Sequence, residues 1–199
     1  MISIIGLGTV GRSVFEVFPD ASLYDPPKGY EGPVGGTAFV CVPTPSKPDG
    51  ACDTSIVEQV VRQHKADLFV IRSTVPPGTS RMLAEKYEKL IVFQPEYLGM
   101  TPGHRFRDDR AVPFVILGGT WATKVRDLYR SVLPPDTAYH LTSWEAAELT
   151  KYAVNTFLAT KVEFANELRD LATAARVDYD ELRELWLLDP RIGRSHTQA

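Results

Sequence analysis

The stretch Ile2-Ser3-Ile4-Ile5-Gly6-Leu7-Gly8-Thr9-Val10-Gly11 decides how this chain is read. An apolar run enters it, a G-x-G-x-x-G pattern follows without a gap, and an amphipathic segment carrying Val14, Val17 and Phe18 leaves it. In a strand, turn and helix the three glycines have separate tasks. The first permits a tight turn, the second lets the backbone approach a pyrophosphate, and the third allows the helix to pack closely on the strand. The free N–H groups and dipole at the helix N-terminus, where Thr9 and Val10 lie, then hold the diphosphate. The next apolar run, Ala21 to Tyr24, ends at Asp25. A carboxylate there accepts hydrogen bonds from an adenosine ribose and repels a 2'-phosphate. Strand, glycines, helix, strand and acid in register predict a nicotinamide dinucleotide site, for NAD in preference to NADP, on Gly6, Gly8, Thr9, Val10, Gly11 and Asp25. Arg12 and Lys28 are the nearby cations that could reach a 2'-phosphate instead, although solvated surface charge is the simpler reading of both.

Outward from this stretch, short apolar runs recur at Ala38 to Val42, Leu68 to Ile71, Leu90 to Phe93 and Val112 to Leu117, and Tyr139 to Leu141 adds a last one. Segments of helical spacing lie between them. Ile56, Val57, Val60, Val61 and His64 follow a cap at Asp53 or Thr54, and Trp121, Val125, Leu128, Tyr129 and Val132 repeat the pattern. Alternation of this kind predicts an α/β fold, a Rossmann-like, doubly wound parallel sheet. Pro26 to Thr37 is rich in Pro and Gly and lacks periodicity where a second helix and third strand would stand, so one wing of the sheet reads as abbreviated.

After about Thr142 the texture changes. Thr142 and Glu145 have capping-box spacing, and no Gly or Pro interrupts the run to Arg176, which predicts a helix of roughly 50 Å at 1.5 Å per residue. One apolar stripe runs through Ala146, Leu149, Ala153, Phe157, Phe164 and Leu168, another through Val154, Leu158, Val162, Ala165 and Ala172. A second, short helix capped at Asp178 or Asp180 carries Leu182, Leu185 and Leu188. The predicted organisation is a dinucleotide-binding domain over residues 1–141, then the long helix and a helical appendage over 142–199. The preceding domain covers one stripe of the long helix and hardly both, which predicts a homodimer packed through it.

The 199 residues are 44% hydrophobic and 24% charged, with a formal net charge of -3. That balance suits a globular chain and argues against a nucleic-acid or anionic-membrane partner, which require clustered Lys and Arg. A small-molecule partner is expected. No run of 18 or more apolar residues and no leader pattern is present, so a cytoplasmic location is expected. The two cysteines, Cys41 and Cys52, have neither C-x-x-C spacing nor a neighbouring His pair, and no disulfide framework or metal site is expected.

Ligands of open parallel sheets sit beyond the carboxyl ends of the strands. Here those ends carry Val42-Pro43-Thr44-Pro45, Ser73-Thr74-Val75-Pro76-Pro77-Gly78-Thr79 and Gln94-Pro95-Glu96-Tyr97-Leu98. Proline fixes φ and so holds each neighbouring hydroxyl or carboxylate at a defined angle. On the long helix Lys151 and Asn155 are four apart, with Glu148 three residues earlier on the same side. A Lys and amide pair of this kind can serve an alcohol oxidation, the amine handling the hydroxyl proton and the amide holding the hydroxyl. From the residues alone, a solvated helix face is the simpler reading.

In these blocks, together with Glu148 to Glu167 and Asp189 to Gly193, the chain resembles the UDP-glucose/GDP-mannose dehydrogenase family. Members of that family oxidise a sugar-nucleotide alcohol to a carboxylate with two NAD. The resemblance implies NAD as cofactor and a nucleotide sugar, a UDP-sugar first, as substrate. It implies that Val42, Pro43, Thr44, Ser73 and Thr74 line the cofactor, with Thr74 also near the reacting centre. Glu96 then belongs to the catalytic crevice, and Lys151 and Asn155 handle the hydroxyl. The family's covalent step needs a cysteine in a G-x-G-G-x-C loop shortly after the block matched by Asp189 to Gly193, and neither Cys41 nor Cys52 matches that position. Met100 stands where many relatives carry a second glutamate. The expectation is therefore a dehydrogenase-like chain without the thiol step. Two other readings stand beside it: a two-electron enzyme resembling the β-hydroxyacid dehydrogenases, and a non-catalytic NAD-binding module.

Overall fold

The computed structural model describes residues 1–99 and 104–198; Met100 lies outside them. Contacts divide the chain into two units, Met1–Lys151 and Tyr152–Ala199. In the first unit the strands are β1 (Ile2–Ile5), β2 (Ser22–Asp25), β3 (Tyr30–Glu31), β4 (Thr37–Val40), β5 (Leu68–Ile71), β6 (Ile91–Phe93), β7 (Phe114–Gly118) and β8 (Ala138–Thr142). Its helices are α1 (Thr9–Val17), α2 (Ser55–Gln63), α3 (Thr79–Tyr87) and α4 (Ala122–Arg130). The strands form one sheet in the order β3-β2-β1-β4-β5-β6-β7-β8. Strands β2, β1, β4, β5 and β6 are parallel neighbours.

The sheet is mixed rather than wholly parallel. β3 runs antiparallel to β2 with Tyr24 opposite Glu31, and β7 antiparallel to β6 with Phe93 opposite Gly118, while β8 is parallel to β7. A parallel neighbour needs a connection that crosses the sheet face. The segment between β6 and β7 instead makes a 3-10 turn at Asp109–Ala111 that is anchored by Arg72, the residue immediately after β5. The chain is therefore still at the carboxyl edge when β7 begins, and must run back. On the other wing a 3-10 turn, Pro26–Lys28, and the two-residue β3 stand in place of a second helix, the abbreviation that Pro26 to Thr37 predicts.

Alternation along the strands sends successive side chains to opposite faces. Phe39, Val70 and Val92 join Val14, Val17 and Phe18 of α1 and Val125 and Tyr129 of α4 in one buried cluster. Ala38, Val40, Phe69, Ile71, Ile91 and Phe93 join α2 and α3 in the other. Both faces are covered, which is why these strands read as nearly continuous apolar runs.

The long helix, α5 (Trp144–Ala175), begins in the first unit and continues through the second. Its start differs from the capping box: Thr142 closes β8, Ser143 Oγ accepts the N–H of Ala146 at 3.2 Å, and Glu145 pairs with Arg81. Within the second unit α6 (Tyr179–Trp186) is capped by Asp178, whose Oδ1 accepts the N–H of Glu181 at 2.8 Å.

Candidate functional site

Gly6 has φ +89°, and a Cβ on it would lie 2.6 Å from the carbonyl oxygen of Cys41. A Cβ on Gly11 would collide with the carbonyl of Gly6, whereas one on Gly8 would meet nothing within 4 Å. The first and third glycines are thus required by the protein's own packing, and the second leaves space over the loop. No side chain caps the N-terminus of α1, so its first N–H groups stay available. A cavity of about 780 Å³ opens here, a volume usual for small-molecule sites. Gly6 to Val10, Asp25 and Lys28 line it together with Val42, Pro43, the α2 residues Gln59 and Gln63, and His64 just after α2. His64 packs edge-on against Tyr24 at 4.7 Å, and burial lowers its pKa.

Asp25 is already partly engaged. Its Oδ2 accepts the N–H of Leu7 at 2.8 Å and lies 3.3 Å from Lys28 Nζ, which donates to the carbonyl of Leu7 at 2.8 Å. The backbone of Leu7, the middle residue of the glycine loop, is thus held at both its N–H and its carbonyl. Lys28, near whose ammonium a 2'-phosphate would otherwise be attracted, is turned onto the loop; Arg12 is exposed.

The next strand ends lie outside that cavity. Ser73 Oγ donates to the carbonyl of Val42 at 2.7 Å and so laces the end of β4 to the chain after β5. Thr44 Oγ1 donates to the carbonyl of Thr74 at 2.8 Å, and Cys52 Sγ lies 3.6 Å from the same oxygen. Thr44 and Ser73 therefore brace the turn that presents Thr74. Beyond it, Lys151 is 6% exposed. Its Nζ donates to both Glu96 Oε1 and the Glu96 carbonyl, each at 2.6 Å, and stands 5.7 Å over the ring of Tyr97. Glu96 also accepts the N–H of Leu98 through Oε2 at 2.9 Å, which fixes the carboxylate plane. Residues far apart in sequence, Glu96 and Lys151, are brought together. Asn155, one turn further along α5, is exposed and belongs to the second unit.

Glu148 does not join them. It is fully buried, and its two oxygens accept the N–H groups of Gly78 at 2.6 Å and Ser80 at 2.8 Å, so it caps α3 from another helix. Burial holds its carboxyl above the usual range. Burial also pushes the Cys41 thiol up to about 12, so it is no nucleophile at neutral pH. Sequence reasoning missed a further group: Ser13, Arg72, Gln94, Asp109 and Tyr129, joined by buried hydrogen bonds just beneath these turns. The signal for it is an Arg and a Gln directly following the apolar runs Leu68 to Ile71 and Leu90 to Phe93. Among the described residues, no three His, Cys, Asp or Glu side chains gather as metal ligands, and no helix is long and apolar enough to cross a membrane.

A family model for the NAD-binding domain of the UDP-glucose/GDP-mannose dehydrogenase family matches residues 35–133, and one for that family's central domain matches residues 145–199. The chain belongs to this family. The glycine loop lies before the first matched span, so its assignment rests on the geometry above. Among curated relatives, the UDP-glucose 6-dehydrogenase of Rickettsia typhi is 33% identical over 173 residues, which is 81% of this chain and 40% of that protein. An uncharacterized protein of Methanocaldococcus jannaschii is 34% identical over 175 residues, 81% of this chain and 20% of that protein. A solved UDP-glucose dehydrogenase from the hyperthermophilic archaeon Pyrobaculum islandicum aligns with a TM-score of 0.78 at 26% identity, over 98% of this chain and 58% of that one. This chain thus spans 40% or less of the two curated relatives named and 58% of the solved one, and it carries the family's NAD-binding domain.

Proposed function

We propose that the chain binds NAD along the carboxyl edge of β2, β1, β4 and β5 and carries out the alcohol-oxidising step of a nucleotide-sugar dehydrogenase, with a UDP-sugar as substrate. The observation that carries this reading is the Lys151–Glu96 pair, set beside the Thr74 turn on the same sheet edge as a glycine loop with open space above Gly8. The adenosine half lies towards Asp25 and Lys28, the diphosphate at Gly8, Thr9 and Val10, and the nicotinamide half towards Val42, Pro43 and Thr74.

Bound NAD supplies the hydride acceptor. The protein must hold the hydroxyl and take its proton. Lys151 Nζ has three N–H groups, and with two given to Glu96 one remains for a substrate oxygen. As the hydride leaves, Nζ gives one of its protons to the Glu96 carboxylate and takes the hydroxyl proton in its place, so the proton ends on Glu96, and general-base assistance of this type contributes about 10² to 10⁴ in rate. Asn155, four residues from Lys151 on the same helix, holds the hydroxyl oxygen, and Thr74 lines the reacting centre. The homologous solved and curated dehydrogenases support the substrate class. A cytoplasmic location and a homodimer through α5 accompany the reading; free thiols at Cys41 and Cys52 support the first, and exposed Phe157, Phe164 and Leu171 support the second.

The test is titration with NAD and NADP, then incubation with NAD and UDP-glucose with cofactor reduction and products followed together. We expect tighter binding of NAD, and at most one reduced cofactor per sugar with no carboxylate, because burial keeps Cys41 a thiol and neither cysteine matches the position of the family's nucleophile. Comparable NADP affinity would remove the role given to Asp25. Two reduced cofactors per carboxylate would overturn the one-step reading.

A further inference from the structure

On the face of the sheet that meets α1 and α4, Phe39, Val70 and Val92 form a buried apolar rung across β4, β5 and β6. Two residues further along each strand, the same face carries Cys41, Arg72 and Gln94. The last rung before the ligand-bearing turns is therefore polar. Arg72 is 1% exposed, and its guanidinium grips the Asp109 carboxylate at both ends, Nη2 to Oδ1 at 2.8 Å and Nη1 to Oδ2 at 3.1 Å. Ser13 Oγ donates to Asp109 Oδ2 at 2.9 Å and accepts the Asp109 N–H at 2.8 Å. The Tyr129 hydroxyl donates to Gln94 Oε1 at 2.9 Å and accepts from Arg72 Nη1 at 3.5 Å.

Each of these groups stands next to a segment already assigned to the site. Ser13 is two residues past Gly11 on α1, Arg72 two before Thr74, and Gln94 two before Glu96, while Asp109 opens the 3-10 turn before β7. A buried ion pair is weak evidence for stability, since desolvating two charges roughly cancels their attraction and an apolar pair of like volume often serves a core as well. What a planar guanidinium held by two oxygens does provide is a fixed distance in a fixed plane.

We propose that Arg72 and Asp109 are positioning residues: their buried pair, through Ser13, Tyr129 and Gln94, holds the Ser73-Thr74 turn and the Pro95-Glu96 strand end at a set height against α1. The adenosine side is anchored independently, by Asp25 on the N–H and Lys28 on the carbonyl of Leu7. The pair therefore governs only the half of the site that takes the nicotinamide. This inference rests on the cofactor reading above.

Replacing both charges, in the double variant Arg72→Met with Asp109→Leu, avoids leaving one of them buried and alone. The 199-residue chain is melted and titrated calorimetrically with NAD and with ADP-ribose, which lacks the nicotinamide. The expected result is a melting midpoint close to or above that of the parent, NAD binding weaker by about tenfold, and ADP-ribose binding unchanged. Ser13→Ala and Tyr129→Phe, which remove ties without unpairing a charge, should show the same split at smaller size, and they keep the test decisive if the double variant fails to fold. NAD affinity unchanged in folded variants, or NAD and ADP-ribose weakened in parallel, overturns the inference. A parent chain that binds neither ligand overturns the cofactor reading and this inference with it.

Discussion

Gly8 and Gly11 belong to one motif and are glycine for opposite reasons. A methyl group on Gly11 would have to displace the carbonyl of Gly6, in backbone that has no freedom to move, while one on Gly8 would enter empty space from an ordinary φ of -73°. Gly11→Ala is therefore expected to lower the melting midpoint, by the 1–3 kcal/mol typical of forced overpacking. Gly8→Ala should melt at or slightly above the parent midpoint, since an added methyl restricts the unfolded chain by about 0.4–1 kcal/mol. Its cost should appear only in ligand binding, because the methyl takes the space the pyrophosphate needs. Calorimetric titration beside thermal melting separates the two, and a Gly8→Ala protein that binds NAD with parental affinity would falsify the placement of the diphosphate. The pattern of glycines was legible in the sequence because it is local. The Arg72–Asp109 pair was not: Arg72 reads as a charge at the end of an apolar run, Asp109 as half of an Asp-Asp step, and nothing short of the fold joins them.

Helix α3 shows what spacing alone can and cannot settle. Glu148 and Lys151 are three apart on α5, so they share a side of that helix, yet the side meets two different neighbours. Glu148 reaches the N–H groups of Gly78 and Ser80 at the start of α3, and Lys151 reaches Glu96 beyond β6. Which neighbour a residue meets depends on where α5 lies against the sheet, which the sequence does not display. The reversal of β7 escaped for a related reason: a strand's apolar run looks the same in either direction, and only the anchored turn at Asp109–Ala111 forces it back. The cap itself makes a testable contribution. Burial raises the Glu148 carboxyl above its ordinary value of 4.5, so the folded chain holds that proton more tightly than the unfolded one. Stability linked to Glu148 is then present at pH values below the ordinary carboxylate range and is lost as pH rises through that range and above it. Glu148→Gln removes the titration while one amide oxygen still accepts an N–H. Melting curves across pH 4 to 8 should show the variant gaining on the parent as pH rises. A difference between the two that is flat with pH, or that moves the other way, would assign the N–H groups of α3 some other principal partner.

At the scale of the whole molecule the open matter is an exposed apolar stripe along α5. Phe157 is 65% exposed, Phe164 52% and Leu171 67%, and the three are spaced seven residues apart. Seven-residue spacing keeps side chains on one slowly drifting stripe, the arrangement that allows two helices to pack at about +20°. Isolated exposed apolar residues need no explanation, but large ones in register along one helix form a patch that water penalises at about 25 cal/mol per Å². A second copy related by a twofold axis offers the same stripe in return, so both are covered by one contact. At 32 residues and 1.5 Å per residue, α5 is about 48 Å long, enough for an interface of the usual stable size. We therefore expect a dimer by light scattering at micromolar concentration. Phe157→Glu with Leu171→Glu should return it to a monomer whose melting midpoint no longer rises with protein concentration, because charge placed on the stripe cannot be buried without a partner. The monomeric variant should still bind ADP-ribose, since the glycine loop and Asp25 lie wholly within the unit Met1–Lys151. A parent chain that scatters as a monomer would end the dimer proposal while leaving the cofactor site untouched.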